Sequence, residues 1–136
     1  MLPFSIRVLR GRFAFAALLL TAGGSAWSHH STAIYDSDNP IELAGTVVEW
    51  QFVNPHVIIV VEVEDTDGTT TVWTVEGSNT AGVFRRGWTP ETLQPGDRII
   101  VTVRPLHSGA PGGNYRNVRW SDGTPVDPRA PRPLDE

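Results

Sequence analysis

From Ile41 onward, apolar residues recur at every second position in short runs, the period of half-buried strands. Ile41 to Gln51 follows that period with an interruption at Gly45, which predicts one long strand that bends. Asn54-Pro55 then punctuates the chain, because proline disfavours helix at the residue before it. In Val57 to Glu64, Val57, Ile59, Val61 and Val63 share one face and Glu62 and Glu64 the other. Asp65-Thr66-Asp67-Gly68 predicts a hairpin turn, and Thr69 to Glu76 the return strand, with Trp73 and Val75 on one face. The period is then lost. Ser78 or Asn79 caps a short predicted helix through Val83, Phe84 and Arg85 that ends at Gly87. Thr89-Pro90-Glu91 reads as a second brief helical turn. After the turn at Pro95-Gly96, a strand over Asp97 to Arg104 points Ile99, Val101 and Val103 inward. A Gly-rich loop over His107 to Asn114 leads to a last strand, Tyr115 to Trp120, closed by Ser121-Asp122-Gly123.

Five strands with one helix between the third and fourth predict an all-β fold, a small Greek-key barrel of the OB type. A sandwich would need about seven strands. The barrel domain spans 41–124. It is preceded by a polar, irregular N-terminal arm over 29–40. A Pro-rich tail over 125–136, with Pro125, Pro128, Pro131 and Pro133, is expected to be loosely held.

Residues 1–28 read as a secretory signal peptide. Arg7, Arg10 and Arg12 form its basic region and Phe13 to Ala22 its apolar run. That run is half of the roughly 20 apolar residues a spanning helix needs, so no stable membrane span is expected after cleavage. Cleavage fits after Ser28, with Ala26 and Ser28 as the small residues, and also after Ala26. The expected location is periplasmic or secreted. The chain has no Cys, so the core must suffice without disulfides. All eleven basic residues are Arg. Beyond residue 28, eight Arg face fifteen Asp and Glu, a formal charge of −7. Such a surface repels phosphate backbones, which argues against nucleic acid as a partner.

His29-His30-Ser31, Tyr35-Asp36, Gly45-Thr46-Val47, Trp50, Asn54-Pro55-His56, Asp65 with Gly68, Trp73, Arg86-Gly87-Trp88 and Leu93 with Pro95-Gly96-Asp97 occur in that order. Together, from about His29 to Val103, they resemble a family of small secreted bacterial proteins catalogued as domain of unknown function 6152 (DUF6152). The resemblance implies a secreted β-barrel domain and names no activity. It also favours cleavage after Ser28, because the leading His pair of that family typically follows the signal directly. His107 and the C-terminal tail lie outside the pattern.

Cleavage after Ser28 would put an amine and an imidazole on one residue, His29, a chelate suited to Cu(II), with His30 adding a second imidazole. Two further imidazoles lie in connections that commonly frame the binding face of an OB barrel. His56 follows the first strand, and His107 follows the fourth. Asp36 is a possible carboxylate ligand, although oxygen suits copper less well. Simpler readings stand beside these: a solvated His pair, a His56 that caps the barrel, and a His107 that is only a loop residue. Trp50, Asn54 and Trp88 mark a possible ligand or partner surface, against the simpler reading of the tryptophans as packing.

No Cys nucleophile, Gly-x-Ser-x-Gly, His-Glu-x-x-His or phosphate-binding Gly loop with Lys is present, so catalysis is not expected. The leading expectation is an exported barrel that binds a transition metal such as copper through His29, His30 and His56. The alternative is a non-catalytic barrel that binds a protein or small-molecule partner without metal.

Overall fold

The computed structural model describes residues 32–130. Its elements are a single 3-10 turn, Thr32–Ile34, then β1 (Ile41–Gln51), β2 (Ile58–Glu64), β3 (Thr70–Glu76), α1 (Thr80–Phe84), β4 (Arg98–Pro105) and β5 (Gly112–Trp120). The strands close into one barrel in the order β1-β2-β3-β5-β4. Every pairing is antiparallel except β3 with β5, which runs parallel. That order, with the helix between β3 and β4, is consistent with the expected Greek-key OB topology.

β1 closes the barrel because it serves two neighbours. Its first half, Ile41 to Thr46, pairs with β4, and its second half, Thr46 to Gln51, pairs with β2. The predicted bend is at the changeover. A side chain at Gly45 would place its Cβ 2.4 Å from the carbonyl oxygen of Glu62 and 2.7 Å from Val61 Cγ1, so only glycine lets the strands pass this closely. Val48 is then a bulge residue, skipped between the Val47–Val61 and Glu49–Val60 pairs. Bulges of this kind sharpen strand curvature.

The inward faces supply the core. Val47, Ile59, Val61, Val75, Ile99, Val101 and Val103 are buried almost completely, and the preceding Val57 joins them. Val83 of α1 and Leu93 add to this cluster, as do Trp88, Trp120 and Val126. Nearly all of these strand residues are β-branched, which suits the tight, pleated interior of a five-stranded barrel. The helix is a single turn. Its N-cap is Asn79, whose side chain accepts a hydrogen bond from the Gly82 N–H at 2.8 Å.

Two boundaries differ from the sequence reading. Gly112 and Gly113, expected in the loop, are the first residues of β5. They pair with Thr74 and Val75 on one side, and Gly113 pairs with Pro105 on the other. A Cβ at Gly113 would sit 2.4 Å from the Arg104 carbonyl oxygen, so the glycines permit a close strand approach. The expected loose tail does not begin at Pro125 either. Pro125 bridges Arg119, the Val126 N–H donates to the Val118 carbonyl at 3.3 Å, and the Val126 side chain is buried. A buried apolar side chain ties down a segment whose prolines suggested otherwise.

Candidate functional site

The pairing register brings three connections to one end of the barrel. Gln51 pairs with Ile58, Ile58 with Glu76, Glu76 with Asn114, and Asn114 with Arg104. The β1–β2, β3–α1 and β4–β5 connections therefore gather there, as the OB expectation requires. The first of them contains a cis Asn54–Pro55 peptide. Asn54 is used structurally, since its Oδ1 accepts from the Thr80 hydroxyl at 2.9 Å and the Thr80 N–H at 3.2 Å.

The end of the arm is fastened to this region. Tyr35 bridges Leu106. The Asp36 N–H donates to the Pro105 carbonyl at 2.8 Å, and the His107 N–H to the Ile34 carbonyl at 2.9 Å. The Tyr35 hydroxyl donates to the Glu76 carboxylate. Burial first, then the bond to Glu76 and its negative charge, push the Tyr35 hydroxyl up to about 12, against the opposing charge of Arg104.

Beside these connections lies a cleft of about 490 Å³. His56, Gly77 and Ser78 form one side and Trp88 and Arg86 another. β4 and β5 contribute Arg104, Asn114, Tyr115, Arg116, Asn117 and Val118, and Pro125 and Val126 complete the lining. Three arginines thus border one space, and among the described residues no Asp or Glu lines it. The Arg86 side chain donates to the Ser78 hydroxyl at 3.0 Å, and Arg104 donates to the Asn114 side-chain oxygen. Burial raises the Tyr115 hydroxyl above its ordinary pKa. Arg86 is close enough to offset part of that rise without making a hydrogen bond of good geometry to it.

The aromatic groups form a connected stack. Trp88 lies nearly parallel to Tyr115, with ring centroids 6.2 Å apart, and meets Trp50 edge-on at 5.6 Å. The Trp50 indole N–H donates to the Thr89 carbonyl at 3.0 Å. The Tyr115 ring packs directly over Gly77, where an added Cβ would be 2.3 Å from it.

The residues singled out from the sequence are thus divided. His56 and Trp88 line the cleft, and Trp50 supports Trp88 from behind. The Nδ1 of His56 is 2.9 Å from the Gly77 carbonyl, which can only accept, so Nδ1 carries the proton and Nε2 the lone pair of the neutral ring. Asp36 and His107 come near each other outside the cleft. The Asp36 carboxylate accepts two bonds from the Asn39 amide, at 3.0 and 3.1 Å, and these lower its pKa, with the charge of His107 a minor contributor. Among the described residues, no three His, Cys, Asp or Glu side chains gather as a metal-holding group. His29 and His30 lie outside the described residues, as do the signal segment and its cleavage points. No helix among the described residues is long and apolar enough to cross a membrane.

The sequence reading missed the three arginines and Tyr115. Arg116 is the extra residue of a β5 bulge, between the Thr102–Asn117 and Val103–Tyr115 pairs, and a bulge re-aims its side chain. A period-two pattern carries no signal for that.

In comparison with known proteins, the model of a family of unknown function, DUF6152, matches residues 16–115. No curated protein matches the chain.

Proposed function

We proceed from the fact that the chain belongs to the DUF6152 family, and we propose that it is an exported binding protein whose mature N-terminus holds a transition metal. The amine and imidazole of His29 form the chelate, His30 adds an imidazole, and copper is the metal that best suits such nitrogen ligands. The observation that carries this reading is the fastening of the arm. Tyr35 and Ile34 are tied at the end of the barrel where His56 lies, and Glu76, which accepts from Tyr35, is the neighbour of the Gly77 that accepts from His56. Two residues lie between His29 and Thr32, so three steps of chain span at most about 10 Å. The bond from His56 Nδ1 to a carbonyl is also the usual support of an imidazole that ligates through its other nitrogen. Against His56 stand the arginines that share its cleft and repel a cation. The affinity therefore rests on the His29 chelate and His30, with His56 as a further ligand. The reading is of a binding protein and not an enzyme, because it invokes ligands and no reacting group.

The test is copper titration of protein exported and processed by its host, followed by calorimetry and EPR, with N-terminal mass spectrometry to identify the first residue. The control carries one extra Met before His29, which removes the chelate and keeps every side chain. Tight binding that is lost in the control supports the proposal. Equal binding by both forms, or none by either, overturns it. The second reading, a barrel that binds a partner without metal, is favoured by the Arg-lined cleft. Under it, replacing His29 and His30 by Ala leaves partner binding unchanged.

A further inference from the structure

The geometry points to a second binding site, one that does not need the metal although His56 borders both: the cleft takes a small organic anion, with its oxyanion head on the arginines and its apolar body against Trp88 and Tyr115. Four observations converge on this. First, Arg86, Arg104 and Arg116 meet in one space of a chain whose other surfaces are dominated by acids, and none of the three pairs with a described carboxylate. Gathering three like charges in one space is unfavourable unless an anion joins them. Second, Arg104 Nε and the Tyr115 hydroxyl are buried with no hydrogen-bond partner among the described residues. Buried donors of this kind are uncommon and call for an acceptor, which an oxyanion supplies.

Third, the fork of a guanidinium matches the paired oxygens of a carboxylate or phosphate, and two or more guanidiniums around one oxyanion give several charge-assisted bonds. Arg116 and Arg86 are exposed and meet the ligand first, while Arg104, half-buried and held by Asn114, forms the seat. Fourth, the volume of about 490 Å³ is in the range of small-molecule sites. The stacked Trp88 and Tyr115 give it an apolar wall that a bare inorganic ion would not use. Carboxylate and phosphate heads share this chemistry, and the test separates them.

Acetate, inorganic phosphate, benzoate and phenyl phosphate are titrated at low salt by calorimetry and tryptophan fluorescence, on the wild type and on the His29→Ala/His30→Ala variant. The expected result is binding of benzoate or phenyl phosphate at least about tenfold tighter than the bare ion with the same head, in both proteins. That binding weakens as salt rises. The tighter of the two aromatic probes identifies the head group. Arg104→Gln and Arg116→Gln are each expected to cost at least about tenfold, the loss of one charge-assisted hydrogen bond. Arg116 is exposed, so its variant keeps the test decisive if Arg104→Gln does not fold. The inference is overturned if no probe binds, if the bare ions bind as tightly as the aromatic ones, or if Arg116→Gln binds unchanged.

Discussion

Replacing Tyr35 by Phe removes one oxygen and leaves the ring, so it isolates the bond that anchors the arm. In the folded protein that hydroxyl donates to the Glu76 carboxylate in a partly buried setting. A hydrogen bond to a charged partner is worth about 1.5–3 kcal/mol, and partial exposure brings this one towards 1 kcal/mol. The raised pKa has burial as its largest cause and the bond to Glu76 next, so it adds a pH dependence and no separate figure for the bond. The direction of its pH dependence is fixed. The folded-state pKa is raised, so the contribution is complete below pH 10, the value in the unfolded chain, and is lost as pH climbs towards 12. Urea unfolding of both proteins between pH 7 and pH 12 measures this. Tyr35→Phe is expected to be about 1 kcal/mol less stable at pH 7, with the gap closing in alkali. Tyr115 titrates in both proteins and cancels in the difference. Equal stability at pH 7, or a gap that stays constant through pH 12, would refute the claim that this bond holds the arm.

The barrel interior makes a simpler prediction: Ile59→Ala should cost about 3 kcal/mol in urea unfolding, since Ile59 is fully buried in the core. Gly77→Ala places a Cβ 2.3 Å from the Tyr115 ring, and the resulting overpacking should cost about 1–3 kcal/mol and alter the near-ultraviolet circular dichroism of the Trp88–Tyr115 stack. Asn79→Ala removes the helix cap and should cost about 1 kcal/mol in the same unfolding assay. If the amine of His29 is a ligand, copper affinity should fall as pH drops below about 7.7, where the amine gains its proton, and calorimetry in buffers of different ionisation heat should detect that proton being released.

The alternation of Val57, Ile59, Val61 and Val63 against Glu62 and Glu64 was enough to specify β2 and its buried face, because a strand's side chains can only alternate. The same argument located β1, β3 and β4, and Ser78-Asn79 announced the start of the helix, with the structure choosing Asn79 as the cap. The number and order of elements then restricted the fold to a small barrel. His56 and Trp88, which line the cleft, were legible as candidates because a connection after a strand and a large aromatic both carry local signals. Three arginines in one cleft were not. Arg86 follows the helix, Arg104 ends β4 and Arg116 occupies a bulge, so their meeting depends on the β4–β5 register and on the parallel β3–β5 pair that closes the barrel. Likewise, Gly112 and Gly113 read as loop residues because their lack of side chains looks like flexibility, whereas a neighbouring backbone fills that space. Val126 is buried although prolines surround it. Local periodicity reports which way a side chain points, and only closure of the sheet determines which distant side chains share the space it points into.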